Sequence, residues 1–395
     1  MNYRSKNIVS AVVGLVFGDE GKGKVTDHLC SKLASPISVV RYSGGQQAGH
    51  HVISEDGFDH VYSNFGSGAH RKGVTTHWSK YCTVDPVGIH YELKALQEKG
   101  ANLYLYLDYD CPITTKYEKW YNKYKNNLNG HGTVGVGVGA TWEREKNLYS
   151  LRIKDLLYPA VFKIKLEQIY DYYISLGMHL SSIADKLADL HEVGDTCYSL
   201  LDNSRVEFEN FESHPSTQYV YEGSQGLLLD QDFGFFPNVT HSSVGSRNIF
   251  NLMNLEDEVL DIYYVTRAYQ TRHGNGPMTN EDIPHTIKEF EHEKNVTNEY
   301  QGEFRISVLD LDLIEYSLDK DIRDTREYWP CVHQRNLVVT CLDALDDYTL
   351  TYHGKLYVCN NEDHFLTMIF KMLNVDALYV SRSPVSTELE LIKRK

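Results

Sequence analysis

Residues 8–24 read IVSAVVGLVFGDEGKGK, and this stretch decides the fold. Its first half is an almost unbroken apolar run, which is typical of a central strand buried on both faces. A turn with three glycines follows, and Val25, Leu29 and Leu33 then recur at the four-residue spacing of one helix face. Residues 37–42 form a second apolar run. This order of strand, loop, helix and strand predicts an α/β domain with parallel strands.

The remainder of the chain continues this alternation. Further strands are predicted at residues 103–107, 219–221, 261–265, 336–342 and 377–380, and helices at 22–33, 87–99, 164–176 and 180–191. Residues 117–128 and 203–216 are polar and are predicted as exposed connections. We predict a single large P-loop-like domain over residues 1–395, with a mainly parallel central sheet, flanking helices, and insertions near 112–160 and 200–216.

The composition excludes several classes of protein. The 395 residues include 39 Lys and Arg against 54 Asp and Glu, a net charge of −15, so a role in coating nucleic acid is not expected. No apolar run is long enough for a bilayer, and the first one ends in charged residues without a cleavage site, so we expect a cytoplasmic protein. Seven scattered cysteines without a C-x-x-C pair predict reduced thiols, and the histidine pattern predicts no transition-metal site.

The turn GDEGKGK at residues 18–24 is the strongest motif. Glycines allow backbone N–H groups to converge on phosphate oxygens, and the following helix N-terminus adds positive charge. Lys22 and Lys24 can neutralise that phosphate. The spacing nearly fits G-x-x-x-x-G-K-[ST], but Val25 replaces the hydroxyl that usually binds magnesium, and a carboxylate, Asp19, lies inside the loop. These residues predict a triphosphate site with unusual chemistry.

A second motif, GGQQAGHH at residues 44–51, follows the next predicted strand. Its glycines and amides suit close approach to a ligand, and a histidine there can donate a proton. Together, G-D-E-G-K-G-K and G-G-x-x-A-G-H resemble the adenylosuccinate synthetase family. The resemblance covers nearly the whole chain, because further blocks follow in the family's order: VGVGVGATW at 134–142, EGSQGLLLD at 222–230, FPNVT at 236–240, TRHGNGP at 271–277 and TCLD at 340–343.

Members of this family condense aspartate with a 6-oxopurine nucleotide and hydrolyse a nucleoside triphosphate. The resemblance implies that Asp19 is the catalytic base and a Mg²⁺ ligand, that His50 is the acid beside the transferred phosphoryl group, that Gln225 is a further catalytic residue and that the Gly49 carbonyl completes the metal site. The implied triphosphate positions (ATP, dATP or GTP) are Gly18, Glu20, Gly21, Lys22, Gly23, Lys24, Gly49, Asp343, Ser381 and Pro384. The implied purine monophosphate positions are Gln47, Thr133, Val134, Gln225 and Thr240. Arg305 is implied for L-aspartate, and a homodimer is expected.

Four departures from the family pattern concern the ligands. The T-T-G-R-G-I-G-P segment becomes TVGVGVGA at 133–140 and loses a hydroxyl and an arginine. The arginine that reaches the partner subunit's nucleotide has no clear match, and Leu148 and Tyr149 lie near that place. The arginine-rich aspartate loop shrinks to YQGEFR at 300–305. Cys341 replaces the lysine that flanks a guanine base, which makes ATP or dATP credible in place of GTP.

Residues 60–86 and the Q-G-x-F-R segment resemble the bacteriophage branch of the family. Those enzymes convert dGMP to N6-succino-2-amino-2′-deoxyadenylate, the precursor of 2-aminoadenine, in the host cytoplasm. We favour dGMP as substrate and keep IMP as the alternative. The group that accepts the guanine 2-amino hydrogens is not identified by sequence, and Ser63 and Asn64 are suggested by their place in the phage-like block.

Two other classes of protein remain as alternatives. A simple P-loop kinase or NTPase requires Ser or Thr at position 25, where this chain has Val25. A non-catalytic nucleotide-binding homologue has no need of both Asp19 and His50, because binding alone requires neither a base nor an acid. Both features favour the ligase.

Overall fold

A computed structural model describes residues 6–129, 134–179, 182–288 and 302–395. The strands in chain order are β1 (Asn7–Gly14), β2 (Ile37–Arg41), β3 (His50–Ile53), β4 (Asp59–Tyr62), β5 (Val74–Trp78), β6 (Leu105–Leu107), β7 (Val206–Phe208), β8 (Gln218–Gly226), β9 (Glu258–Arg267), β10 (Gln270–His273), β11 (Phe304–Ser307), β12 (Leu309–Asp310), β13 (Val332–Thr340), β14 (Tyr348–Tyr352), β15 (Lys355–Cys359), β16 (Ala377–Val380) and β17 (Glu390–Arg394). The α-helices are α1 (Lys22–Lys32), α2 (Pro86–Glu98), α3 (Lys116–Asn129), α4 (Val138–Lys146), α5 (Pro159–Ser175), α6 (Ile183–Tyr198), α7 (Arg247–Phe250), α8 (Leu311–Asp324) and α9 (Glu362–Met372).

A central sheet organises these elements. Within the described residues it has ten strands in the order β17-β16-β13-β9-β1-β8-β2-β5-β6-β7. Its neighbouring strands run parallel, except that the edge strand β17 pairs antiparallel with β16. The predicted α/β fold with a mainly parallel sheet and flanking helices is therefore confirmed. Helices cover both faces because a parallel sheet must bury both of them.

Strand β1 lies in the middle of this sheet, and its sequence explains why. Successive side chains of a strand point to opposite faces, so an apolar strand feeds two cores. Val9, Ala11 and Val13 pack into the largest cluster, whereas Val12 packs on the other face with Val25 and Leu29 of α1. The spacing read from the sequence thus corresponds to the contact of α1 with the sheet.

Residues 117–128 form most of helix α3, so their prediction as an exposed connection was wrong. Tyr117 and Tyr121 lie four residues apart, on one face of the helix, and both are buried in a second core together with Phe162 and Tyr173. The many lysines and asparagines that follow Tyr121 in the helix concealed this apolar stripe. The connection predicted at 203–216 contains the short edge strand β7.

The second core also contains Ile113, Ala140 and Leu156, which come from the segment predicted as an insertion at 112–160. This segment therefore packs as part of the fold's interior. Among the helices that the structure describes, none combines the length and apolar character that a bilayer crossing requires.

Candidate active site

The loops that leave the carboxyl ends of β1, β2, β8, β9, β13 and β16 surround three adjoining cavities. The loop cavity, about 320 Å³, is lined by Gly18, Asp19, Gly21, Lys22, Gly23, Lys24, Gly49, His50, His51, Ile53, Val61, Arg267, Thr340, Cys341, Asp343, Ser381, Ser383 and Pro384. The central cavity, about 390 Å³, is lined by Phe17, Gly18, Asp19, Gln46, Gln47, Ala48, Gly49, His50, Ser63, Val134, Val136, Ser224, Gln225, Leu229, Arg272 and His273. The far cavity, about 370 Å³, is lined by Gln47, Asn122, Lys125, Asn126, Val134, Val136, Val138, Gly139, Ala140, Glu143, Gln225, Leu229, Phe236, Pro237, Asn238, Val239, Thr240, His241, Arg272, His273, Asn275 and Gly276.

Shared lining residues show that the three cavities form one cleft. Asp19 and His50 line both the loop cavity and the central cavity. Gln47, Gln225 and Arg272 line both the central cavity and the far cavity. The order along the cleft is therefore loop, central and far, at the edge of the sheet where open α/β folds bind their ligands.

The GDEGKGK turn at residues 18–24 and the GGQQAGHH motif at residues 44–51 meet at one wall of the loop cavity. Gly21 has φ +91°, a left-handed conformation that glycine adopts without strain, and α1 begins at the next residue. A Cβ atom on Gly23 would lie 2.7 Å from the Cβ atom of His50. Glycine at position 23 is thus what allows His50 to lie directly over the start of α1, where backbone N–H groups point toward the loop cavity.

Glu20 differs from the other residues of this turn, because it lies beneath the loop cavity and is not among its described lining residues. Its carboxylate accepts hydrogen bonds from the backbone N–H groups of Val16 at 2.9 Å and Gly18 at 2.8 Å, and it pairs with the Lys22 ammonium at 2.9 Å. Burial raises the pKa of Glu20, but Lys22 and the two backbone donors lower it by more than burial raises it, so the net shift is downward. The Glu20 side chain thus supports the turn, and the assignment of Glu20 to the triphosphate stays a prediction.

Asp19 faces both the loop cavity and the central cavity. Its carboxylate lies 3.9 Å from His273 Nε2, and its backbone carbonyl accepts a hydrogen bond from Arg267 Nε. Burial raises the pKa of Asp19, and the neighbouring His273 and Arg267 side chains offset part of that rise. A carboxylate with a raised pKa is a stronger base than an exposed one.

His50 is held by a buried carboxylate that the sequence analysis did not assign. Its Nδ1 donates to Glu222 Oε1 at 2.7 Å, while the other oxygen of Glu222 accepts from Ser67 N at 3.1 Å and lies 3.9 Å from Arg41. Burial alone would raise the pKa of Glu222, but His50, Arg41 and Ser67 lower it to about 2. Burial lowers the pKa of His50, and the Glu222 carboxylate opposes this shift. The buried Nε2 of His50 has no hydrogen-bond partner among the described residues.

The predicted monophosphate positions lie farther along the cleft. Gln225 and Val134 line the central and far cavities, and Thr240 lines the far cavity. Both polar atoms of the Gln47 amide are buried without a hydrogen-bond partner in the part of the chain that the structure describes. Because an unpaired buried amide is unfavourable, this wall is built to receive a polar ligand. Thr133 lies outside the described residues.

Arg305 is engaged within the protein. One of its guanidinium nitrogens pairs with Glu281 at 2.9 Å, and another donates to the carbonyls of Gly274 and Gly276 at 2.7 and 2.6 Å. Arg305 is not among the described lining residues of the three cavities, and its assignment to aspartate stays a prediction. Arg272 and His273 are basic residues that line both the central cavity and the far cavity.

The predicted residues near the C-terminus close the loop cavity. Asp343, Ser381 and Pro384 line it, and the Lys24 ammonium donates to the Ser381 hydroxyl and to the Ser383 carbonyl. Burial lowers the pKa of Lys24 to about 8, although the nearby thiol and carboxylates oppose this shift. The turn at residues 381–386 is thus attached to α1.

The residues present fit a hard divalent cation. Magnesium binds through one or two carboxylates, with carbonyl or phosphate oxygens completing its shell. The Asp19 carboxylate and Gly49 lie together on the wall shared by the loop and central cavities. The described residues contain no group of three or more His, Cys, Asp or Glu side chains that would hold a metal without substrate.

Sequence reasoning missed several groups in the cleft. Glu222 and Arg272 lie inside the quoted EGSQGLLLD and TRHGNGP blocks, so their motifs were present but their roles were not assigned. His273 lies beside Asp19 through the pairing of β10 with β11, which has no local sequence signal. Lys125 was in the segment predicted as an exposed connection.

Known proteins match this chain over most of its length. The family model described as Adenylosuccinate synthetase matches residues 11–386. The adenylosuccinate synthetases of Francisella tularensis subsp. tularensis (strain WY96-3418) and subsp. novicida (strain U112) are each 30% identical over 372 residues, which cover 86% of this chain and 78% of each relative.

Solved structures resemble the fold over nearly its whole length. Fully ligated adenylosuccinate synthetase from Plasmodium falciparum has a TM-score of 0.72 at 16% identity, covering 98% of this chain and 100% of that chain. Succinoaminodeoxyadenylate synthetase from cyanophage S-2L, bound to dGMP and to dATP as an energy donor, has a TM-score of 0.60 at 15% identity, covering 98% and 96%. By its match to the family model and its identity to these relatives, the chain belongs to the adenylosuccinate synthetase family, carbon–nitrogen ligases that use a nucleoside triphosphate.

Proposed function

We propose that this ligase condenses L-aspartate with a 6-oxopurine monophosphate, through a 6-phosphoryl intermediate and hydrolysis of a nucleoside triphosphate. The observation that carries the proposal is the wall formed by Asp19 and His50, which faces the loop cavity on one side and the central cavity on the other. A triphosphate in the loop cavity and a purine in the central cavity meet at these two side chains.

Asp19 removes the proton from N1 of the purine, which makes O6 nucleophilic toward the γ-phosphorus. The pKa of Asp19, raised by burial, suits this base role. Glu222 orients His50 through Nδ1 and, as a carboxylate, favours the protonated ring. In that protonated form Nε2 donates to the phosphoryl group in transfer and stabilises its developing charge. In the second half-reaction the aspartate amino group attacks C6, and the O6-phosphate leaves.

Asp19 and the Gly49 carbonyl would hold Mg²⁺, which supplies neutralisation of the triphosphate charge when bound. Lys22, Lys24 and the N–H groups at the start of α1 bind the same phosphates. The side chain of Asp19 thereby faces the metal and the purine ring together.

ATP or dATP is the proposed triphosphate, with GTP as the alternative. Cys341 occupies the base end of the loop cavity beside Asp343 and Pro384, where the family pattern has a lysine flanking a guanine. The cyanophage structure carries dATP as its energy donor, which supports an adenine nucleotide in this branch.

We propose dGMP as the purine substrate and IMP as the alternative. Ser63 lines the central cavity and is available to accept the guanine 2-amino hydrogens. The other candidate, Asn64, donates its amide to Glu92 at 2.9 Å and is not among the described lining residues. The cyanophage relative in fold was solved with dGMP, which supports this choice.

The experiment that tests the function is a substrate matrix. Purified protein is given L-aspartate and Mg²⁺ with ATP, dATP or GTP and with dGMP or IMP, and phosphate release and the succinylated nucleotide are measured. We expect turnover with dGMP and an adenine triphosphate, dependent on all four components. If IMP supports turnover and dGMP does not, IMP replaces dGMP as the proposed substrate. If no combination gives turnover, the proposal is overturned. Ser63→Ala should reduce kcat/KM for dGMP more than for IMP.

We also propose a homodimer, supported by an exposed apolar face. Leu157, Tyr158, Val161 and Ile164 are exposed around the start of α5, and Leu148 is 89% exposed nearby in the chain. A group of exposed large apolar side chains near one helix is typical of an interface. Light scattering should give twice the chain mass, and Ile164→Glu should give a monomer; a wild type that is monomeric under assay conditions contradicts the proposal.

A further inference from the structure

The far cavity contains an ammonium group for which the proposed reaction has so far given no role. Lys125 of α3 lines this cavity together with Asn122 and Asn126. These three residues are three and four positions apart, so they lie on one face of the helix. An ammonium beside amides provides hydrogen-bond donors suited to an anion.

The order of the cavities indicates which anion belongs there. This step rests on the proposed function, in which Asp19 and His50 fix the 6-oxo edge of the purine in the central cavity. The opposite end of a purine monophosphate is its 5′-phosphate, which then extends past Gln47 and Gln225 into the far cavity. Lys125 lines the far cavity and neither of the other two.

Helix α4 adds positive potential to the same place. Its first residues, Val138, Gly139 and Ala140, line the far cavity, and the N–H groups of a first helical turn have no partner within the helix. An independent observation also points to a ligand. Arg272 is 2% exposed and lines this cavity, and its Nε has no hydrogen-bond partner among the described residues.

The two cations of this cavity, Arg272 and Lys125, differ in the groups that hold them. The terminal nitrogens of Arg272 donate to the carbonyls of Pro277 and Asn238 at 2.6 and 3.4 Å, which fixes the guanidinium deep in the wall. The Lys125 ammonium instead pairs with Glu143 at 2.9 Å, at the more open side of the cavity. Position 136, where the family pattern has an arginine, is Val136 in this chain. This chain thus lacks one cation at a position that lines the far cavity, whereas Lys125 supplies one to the same cavity.

We propose that Lys125 binds the 5′-phosphate of the purine monophosphate, together with the first turn of α4. The ammonium exchanges its contact with Glu143 for the phosphate, which carries more negative charge than the carboxylate. Glu143, which lines the same cavity, then opposes phosphate binding. Lys125 and Glu143, the two partners of one ion pair, therefore have opposite effects on binding of the purine monophosphate.

Calorimetry with Lys125→Met, Glu143→Gln and wild type tests this proposal, using dGMP and IMP and the matching nucleosides deoxyguanosine and inosine. Lys125→Met should weaken monophosphate binding by about 10- to 100-fold, as expected for loss of a charged hydrogen bond, and leave nucleoside binding unchanged. Glu143→Gln should leave monophosphate binding unchanged or strengthen it. KM for the triphosphate should not change in either variant.

Lys116→Met is the matched control, because Lys116 lies on the same helix and pairs with Asp189 and Glu192 outside the cavity. Equal weakening by Lys125→Met and Glu143→Gln would show a structural link between α3 and α4 and overturn the proposal, as would wild-type affinity in Lys125→Met. Failure of the proposed function appears differently, as a wild type that binds the nucleotides without turnover. A wild type that binds no purine monophosphate overturns both.

Discussion

The two sides of the wall at Asp19 and His50 differ in how their polar groups are satisfied. On the loop side, Lys22 pairs with Glu20 and Lys24 donates to the turn at residues 381–383. On the purine side, the Gln47 amide and His50 Nε2 are buried with no partner among the described residues. Each unpaired group costs about 1–3 kcal/mol until a ligand arrives. The loop side is therefore a frame that holds its shape by itself, whereas the purine side is arranged to be completed by substrate.

The largest expected effect follows from removing the base on the shared wall. Asp19→Asn should lower kcat by about 10³-fold or more, because both proton removal from N1 and a metal ligand are lost. Purine monophosphate binding, measured by calorimetry, should stay within about threefold, since uniform binding is separate from transition-state stabilisation. Asp110→Asn, an exposed carboxylate paired with Lys154, is the control. Turnover near the wild-type rate would remove Asp19 from the chemistry.

The next effect concerns the unpartnered nitrogen of His50. His50→Asn should lower kcat by about 10²–10³-fold, as loss of a donor to developing charge does elsewhere, with a much smaller change in nucleotide affinity. Glu222→Gln should lower kcat by less than His50→Asn does, because the imidazole ring of His50 is kept while its orientation is weakened. His333→Asn, which changes an exposed histidine paired with Asp261, is the control. An equal loss of affinity and rate in His50→Asn would assign the residue to ground-state positioning.

The frame should respond to pH through Lys24. Its pKa of about 8 means that the free enzyme loses this positive charge as pH rises through that value, and the attraction for triphosphate falls with it. We expect kcat/KM for the triphosphate to drop by about fivefold between pH 8 and pH 9, because the protonated fraction of Lys24 falls by that factor and this ratio reports the free enzyme. Lys24→Arg keeps its charge and should flatten the profile. A wild-type profile that is already flat over this range would contradict the prediction.

The smallest expected effect tests how the frame holds the triphosphate turn. The hydroxyl of Ser386 donates to buried Asp27, which also accepts two bonds from Arg71 at 2.6 and 2.8 Å. Ser386→Ala should raise KM for the triphosphate by about fivefold, the value of one hydrogen bond, and leave kcat and the monophosphate KM unchanged. Ser31→Ala removes a hydroxyl that donates to the His28 carbonyl within α1 and is the control. A rise in both KM values would indicate a general structural effect.

The local elements near the glycine turn could be predicted because each rests on short-range pattern. An apolar run gives β1, a positive-φ glycine gives the turn, and four-residue spacing gives α1. Helix α3 was missed because lysines and asparagines dominate its sequence, although the four-residue spacing of its two buried tyrosines carried the signal. Helix α8 was also missed, although Leu311, Ile314 and Leu318 follow one face.

The features of the candidate site likewise divide into those that the sequence determined and those that the tertiary structure decided. The sequence by itself determined the family, the glycine loops and the Asp19 and His50 pair, because these are carried by contiguous motifs in a fixed order. Only the tertiary structure decided that Glu20 supports the turn, that Arg305 is held by Glu281, that Glu222 orients His50 and that Lys125 reaches the far cavity. The reason is physical: the partner of a charged side chain is chosen by packing between distant segments, and a motif records the residue without recording its partner.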